Sequence, residues 1–256
     1  MSDATSVTVQ GPRVLLMTAT VVPEPNVSSR LAVLDPADRR RQYEEALRSY
    51  ADRADGDLDG IVLAENSGAD LSGFAAAVPS SLPLELLSIP AAPSAPGTRR
   101  GYLEMALVAD AFASSWLLAE PGAVGVKVTG RYRVENLGAV VRSMDPEQDL
   151  GFNLRRYPKP WADMWVFFAN QKGIAALRPH LPAVNEVEPG GSAELSMFRI
   201  VNELHDQGVA VQRRFGVEPR LSGTRGVDNA RYESPVQRAK WATRHAARRL
   251  APYLWI

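Results

Sequence analysis

The chain has 256 residues, 45% of them hydrophobic and 23% charged, which are the proportions of a globular protein with a substantial core. It carries no cysteine and only three histidines (His180, His205, His245), which excludes disulfides, thiolate catalysis, Cys-based zinc or iron–sulfur sites and a His-rich metal site. Basic and acidic residues balance at 29 each, so no sequence-wide footprint for nucleic acid exists, and 25 of the basic residues are Arg, suited to bidentate anion contacts.

Met1 to Val14 lacks the basic start and apolar stretch of a signal peptide, and nothing reaches the roughly 18 apolar residues of a membrane span. A cytosolic location is the expectation, in which the Asn26-Val27-Ser28 sequon never meets the glycosylation machinery. Val14 to Val22 is a β-branched run typical of a strand buried on both faces. Asp35-Pro36 then opens a helix, Ala37 to Arg53, with Tyr43, Ala46, Leu47 and Tyr50 on one face. Ile61 to Ala64 is a second strand and Leu84 to Ile89 an extended segment. Prolines 79, 83, 90, 93 and 96 make the stretch up to Gly97 a rigid loop rather than a linker. A helix over Leu103 to Leu118 and a strand over Val124 to Tyr132 continue the alternation, which implies a mostly parallel sheet flanked by helices. Trp161 to Ala169 and Val209 to Phe215 read as strands. Ser192 to Gln207, behind Gly190-Gly191, and Ser234 to Leu250 read as helices, and the whole as one domain.

Three polar groups interrupt this pattern. Glu65-Asn66-Ser67-Gly68 follows the second strand, where ligands of open α/β sheets bind, and suits a ribose or base edge; a plain turn with helix caps is the alternative. Arg99-Arg100-Gly101-Tyr102-Leu103-Glu104 marks a helix start that can cradle a diphosphate, or is a solvated basic turn. In Val126 to Arg133, strand alternation puts Lys127, Thr129 and Arg131 on one face, with Val126 and Val128 opposite and Gly130 allowing close backbone approach. Those cations need anions, from a ligand or from Glu65 or Glu104 in a structural ion pair. Asp163 and Glu194 are the later carboxylates suited to general-base work, although Glu194 equally fits a helix start. His205 reads as a satisfied histidine. The basic last helix (Arg238, Lys240, Arg244, His245, Arg248, Arg249) offers either a solvated face or contact with an anionic acceptor or membrane surface. Motifs of dinucleotide oxidoreductases, P-loop enzymes and α/β-hydrolases are absent.

In order, these residues resemble a small GT-A-type glycosyltransferase of the kind associated with bacterial surface-polysaccharide biosynthesis. The resemblance rests on Glu65-Asn66-Ser67 with Asp70-Leu71-Ser72, Arg100-Gly101-Tyr102 with Glu104, and Lys127 to Arg131 with Tyr132 and Asn136. Trp161-Ala162-Asp163 and Ser222-Gly223-Thr224 are weaker echoes, and the likeness spans Leu15 to Ile256. It implies a GT-A-like (Rossmann-like) α/β domain over 1–256, with acceptor-side elements mainly in 151–256. It further implies donor binding by Thr18, Glu65, Asn66, Ser67, Arg100, Tyr102, Glu104, Lys127, Thr129, Gly130 and Arg131, with Glu194 or Asp163 as catalytic carboxylate. The implied partners are a nucleotide-sugar donor and a glycan, lipid-linked or small-molecule acceptor, with no nucleic acid. Most such enzymes hold Mn²⁺ or Mg²⁺ on an Asp-x-Asp pair, whereas this chain has Thr129-Gly130-Arg131 there. The expectation is therefore transfer without a metal or other cofactor, Lys127 and Arg131 facing the phosphates directly. A nucleotidyltransferase-like enzyme and a non-catalytic nucleotide- or sugar-binding protein are the alternatives.

Overall fold

The apolar run after Pro12 forms β1 (Arg13–Ala19), in which alternation serves two cores at once: Val14 and Leu16 enter one, Leu15, Met17 and Ala19 the other. A computed structural model describes residues 11–24, 33–53, 56–91, 98–185, 192–223, 231–251 and 253–255. The sequon at Asn26, residues 92–97 of the proline-rich loop, Gly190-Gly191 and Thr224 lie outside the described residues. After β1 come α1 (Pro36–Ala51), β2 (Gly60–Glu65), β3 (Leu84–Ser88), α2 (Arg100–Ser114), β4 (Val124–Thr129), β5 (Arg133–Val134) and α3 (Leu137–Arg142). The second half adds β6 (Leu150–Arg155), β7 (Trp161–Ala169), α4 (Gln171–Leu177), α5 (Pro182–Asn185), α6 (Ala193–Asp206), β8 (Val211–Gln212), β9 (Leu221–Ser222) and α7 (Pro235–Leu250).

Seven strands form one sheet in the order β3-β2-β1-β4-β7-β6-β8; β7 runs antiparallel to both its neighbours and the other pairings are parallel. The expected mostly parallel sheet between helices is thus present. The chain moves outward from β1 through β2 to β3, then returns to add β4 on the other side of β1. That reversal makes the carboxyl ends of β1 and β4, with Thr18 opposite Thr129, a topological switch point. β5 and β9 form a separate antiparallel pair that brings the turn after β4 beside residues 221–222.

Local chemistry fixes the boundaries. Asp35 caps α1, its carboxylate accepting from the Asp38 N–H at 3.0 Å, and Pro36 sits in the first turn. α2 starts at Arg100, three residues before the expected start, without a side-chain cap to signal it. It stops at Ser114 because Ser115 turns extended and gives its hydroxyl to Glu85 Oε2 at 2.6 Å, so Leu117 and Leu118 are buried off the helix. β4 ends at Thr129, short of Tyr132, because the Gly130 N–H turns to the Thr18 carbonyl at 3.0 Å. A Cβ on Gly130 would lie 2.6 Å from that carbonyl oxygen, so glycine is required there. β6 was not apparent in the sequence and only two residues of the expected Val209–Phe215 strand pair; Phe215 instead plugs the core, stacked on Phe168 at 6.1 Å. Among the described residues no helix is long and apolar enough to cross a membrane.

Candidate active site

At the switch point the ends of β1, β2 and β4 open into a cavity of about 1500 Å³, closed on the far side by β9, the start of α6 and one face of α7. Thr18, Asn66, Ser67, Arg100, Glu104, Thr129, Arg131 and Glu194, all anticipated, line it. Their roles differ from the expectation in several places.

Three guanidiniums gather at the sheet end. Arg39, on the second turn of α1, is only 3% exposed, yet its Nε donates to the Thr20 carbonyl at 2.7 Å and Nη2 to the Tyr43 hydroxyl at 3.2 Å, both neutral acceptors. Burial holds its pKa below the ordinary arginine value, the Tyr43 oxygen offsets part of this, and the charges of Arg131 and Arg100 depress it further. Arg100 is lowered likewise, by burial and then by Arg131, with Tyr132 and Glu104 acting in the opposite sense. Arginine stays protonated throughout this range, so the group carries three positive charges. Among the described residues none of the three forms an ion pair, and Arg131 only lies over the Tyr132 ring at 6.0 Å. Sequence reading passed over Arg39 because it looked like one of many surface arginines on α1; only its burial distinguishes it.

Lys127 corrects the expectation. Its side chain is fully buried on the α2 side of the sheet, opposite Val126 and Val128, and Nζ donates to Glu104 Oε1 at 2.7 Å, Thr129 Oγ1 at 2.9 Å and the Met164 carbonyl at 2.6 Å. All three ammonium protons are used, so Lys127 cannot face a phosphate directly. Glu104 Oε1 also accepts from the hydroxyls of Thr18 and Thr129, each at 2.7 Å. Burial alone would raise the Glu104 pKa, but the Lys127 charge and the hydrogen bonds from Lys127, Thr129 and Thr18 outweigh it and hold the carboxyl below its usual range. Arg131 falls in the turn past β4 rather than on the same strand face, and so escapes this pairing.

Several other anticipated residues build the walls, and not all of them reach the lumen. The Glu65 carboxylate is fully buried and accepts from the N–H groups of Val21 (2.9 Å), Ser67 (2.9 Å) and Ala69 (3.2 Å) and from the Ser67 hydroxyl, pinning the loop after β2 to the loop after β1. Asn66 stays in the wall, its Oδ1 accepting from Thr20 Oγ1 at 2.6 Å, which leaves its amide nitrogen for the lumen. Tyr102, on α2, is partly buried against the core, and Gly130 is closed over by Thr18 and Tyr43. Asp163 is 1% exposed, takes Asn153 Nδ2 at 2.7 Å and ion-pairs with Arg155; it lies beneath the cavity, and this pairing removes it as a base. Glu194 stands in the first turn of α6 on the lumen, after the Ser192 cap. Glu218, not anticipated, also lines the lumen, with Oε2 2.5 Å from Arg248 Nη2 and its pKa raised by burial against the pull of Arg248. α7 turns Trp241 and Arg244 into the cavity and buries Arg248, so this part of its basic face is committed inward rather than to a membrane surface.

No protein-family model matches the chain, and no curated protein does. Among solved structures it is similar to a protein of Desulfovibrio desulfuricans G20 provisionally assigned as a nucleotide-diphospho-sugar transferase, with 13% identity, 80% of each chain covered and a TM-score of 0.43. It is also similar to 4-diphosphocytidyl-2C-methyl-D-erythritol synthase of Anaerococcus prevotii (9% identity, 91% of this chain and 97% of that one, TM-score 0.43). HddC of Yersinia pseudotuberculosis gives 9% identity, 90% and 98% coverage and a TM-score of 0.44. Overlaps this loose carry no function across.

The chemistry therefore rests on the site. Thr129, Gly130 and Arg131 offer no carboxylate at the end of β4, and among the described residues no group of three or more His, Asp or Glu side chains could hold a metal ion. The carboxylate pair that usually holds a divalent ion against a donor diphosphate is therefore not present at this strand end. What the sheet end can do is bind an anion: three guanidiniums bring planar, multidentate donors to one place, and among the described residues none is ion-paired.

Proposed function

We propose that the protein is a transferase that binds a nucleotide-activated sugar at the switch point and passes the sugar to an acceptor hydroxyl, all within one domain. The observation that carries this reading is the convergence of Arg39, Arg100 and Arg131 without a carboxylate partner beside the β1 and β4 ends. The donor diphosphate lies on these guanidiniums, which neutralise the charge that develops on the departing nucleoside diphosphate, the role a divalent ion plays elsewhere. Asn66, Ser67 and Thr20 border the same end and supply donors and acceptors for the ribose and base. Glu194 takes the acceptor proton as the acceptor oxygen bonds to the anomeric carbon and the bond to the diphosphate oxygen breaks, a single displacement with inversion.

A thermal-shift screen of UDP-, GDP-, dTDP- and CMP-sugars, each with Mn²⁺ and with EDTA, tests the assignment. A donor at 100 times its dissociation constant adds about 2.7 kcal/mol and a visible shift. Binding in EDTA, followed by release of the nucleoside diphosphate on turnover, is expected. Pyrophosphate release when a nucleoside triphosphate and a sugar 1-phosphate are supplied in place of the nucleotide-sugar would show nucleotidyl transfer, and turnover abolished by EDTA and restored by Mn²⁺ would overturn the metal-free reading. Glu194→Gln should lower turnover about 10²–10⁴-fold with donor binding kept.

A further inference from the structure

The far end of the cavity carries a second, separate charge pattern. Beneath it, two ion pairs close on themselves: Arg155 with Asp163 and Arg248 with Glu218, linked through Asn153, which accepts from Arg248 Nη2 at 2.8 Å and donates to Asp163. Arg244, on α7, is half-buried at the lumen and among the described residues makes no hydrogen bond or ion pair. It is close enough to Arg155 and Arg248 to be repelled by both. Arg155, although ion-paired, keeps a donor to spare, since its Nε is buried without a hydrogen-bond partner. α7 is built for this placement: Gln237, Trp241, Arg244 and Arg248 recur at helical spacing and form its inward face. Trp241 is fixed there by its Nε1–H on the Glu218 carbonyl at 3.1 Å and by stacking on His245 with centroids 5.0 Å apart.

Glu218 and Asp163 offset part of the cost of holding this guanidinium half out of water, but both are already ion-paired, so an incoming anion would be the direct partner that Arg244 lacks. The two groups come from different elements: Arg244 projects from α7 beside the Arg155–Asp163 and Arg248–Glu218 pairs, whereas Arg39, Arg100 and Arg131 come from α1, the start of α2 and the turn after β4. The geometry points to an acceptor that is itself anionic: a sugar or polyol bearing a phosphate or carboxylate, seated on Arg244 and the free edge of Arg155, with its hydroxyl turned toward Glu194. This identification rests on the transferase reading above, although the anion site itself does not.

Calorimetry on the full chain tests it, with glucose 6-phosphate and glucuronate as charged probes, glucose as the neutral one, and UDP, GDP and dTDP for the other end. The charged sugars should bind and glucose should not. Arg244→Ala should weaken the charged sugars at least tenfold and leave nucleotide affinity unchanged, while Arg131→Ala should do the reverse. Arg244→Gln, which keeps the side-chain volume, guards against a packing effect and should lose affinity likewise. Equal binding of glucose, or charged-sugar binding that survives both Arg244 variants, overturns the inference. Loss of nucleotide binding together with sugar binding in those variants overturns it too. Flotation with phosphatidic acid vesicles against phosphatidylcholine vesicles separates the sources. Arg244-dependent binding only to the former supports a lipid-linked phosphate, binding of soluble sugars alone a free acceptor, and vesicle binding independent of Arg244 counts against the site. Charged-sugar binding with no response to any nucleotide would sink the transferase reading but leave the anion site standing.

Discussion

Lys127 and Arg39 are both buried cations beside the same switch point, 0% and 3% exposed, yet they are provided for in opposite ways. Lys127 has a carboxylate, a hydroxyl and a carbonyl, one for each ammonium proton. Arg39 has only neutral oxygens and two further arginines whose charge it feels. Depth of burial does not tell a structural cation from a ligand-binding one; the presence of a counterion does. The sharpest way to break the comparison is to remove the counterion. Glu104→Gln should leave a buried ammonium without its anion and cost about 3–5 kcal/mol in denaturant unfolding, at the lower end because the Glu104 side chain is 24% exposed. The double variant Lys127→Met/Glu104→Leu should recover most of that, since a well-packed apolar pair replaces a buried ion pair at little cost. Wild-type stability in Glu104→Gln would mean that the pair is not structural.

The arginine cluster should answer in the other currency. Arg131→Ala removes a charge that has no carboxylate partner among the described residues, so its melting temperature should stay level or rise as repulsion on Arg39 and Arg100 is relieved. Its donor affinity should fall roughly 10–100-fold, the worth of charge-assisted hydrogen bonds of about 1.5–3 kcal/mol. Calorimetry and a melt on the same sample decide it: a destabilised variant with unchanged nucleotide affinity would place Arg131 with Lys127 among the structural cations.

The same contrast explains what was legible in the sequence. Alternating apolar runs gave the strands that are buried on both faces, and Trp161–Ala169 was legible residue for residue because eight of its nine positions are apolar or aromatic and leave little room for another reading. β6 stayed hidden because Leu150–Arg155 mixes Gly, Asn and Arg, and its pairing on β7 is broken by a register shift between Phe152 and Leu154. Strand periodicity put Lys127 and Thr129 on one face correctly, yet it could not say which of Glu65 and Glu104 would meet them, because that pairing is set by how α2 lies over the sheet. Asp163 failed for the same reason: its partners, Asn153 and Arg155, sit on the hidden strand. Arg39 and Glu218 became visible only through burial and fold closure. Charge is local in sequence, whereas compensation of charge is a tertiary property.

Acidification separates the two ends of the cavity further. Glu104 has its folded pKa depressed, so the stability it contributes is present above about 4.5 and is lost as the pH falls through that value toward its folded pKa. Glu218 has its folded pKa raised, so its contribution is present below about 4.5 and is lost as the pH rises through its folded value. The two windows meet at about 4.5 and have opposite signs. In Glu218→Gln the upper one is gone, so the rise in melting temperature that Glu218 gives wild type on acidification toward about 4.5 should vanish, while the fall below that pH stays. An unchanged profile would show that Glu218 is ionised in the native protein at its ordinary value.

The finest distinction is between charge and shape at Arg131. Arg131→Lys keeps the positive charge but replaces a planar fork with a point charge that is more strongly hydrated. If the cluster only supplies a field, donor affinity should hardly move and should fall with added salt as in wild type. If it grips phosphate oxygens in pairs, affinity should drop about tenfold, near 1.4 kcal/mol, at every salt concentration. We expect the drop, because Arg39 is already fixed in orientation by Thr20 and Tyr43, and a fixed fork is worth having only where its partners hold the same anion geometrically.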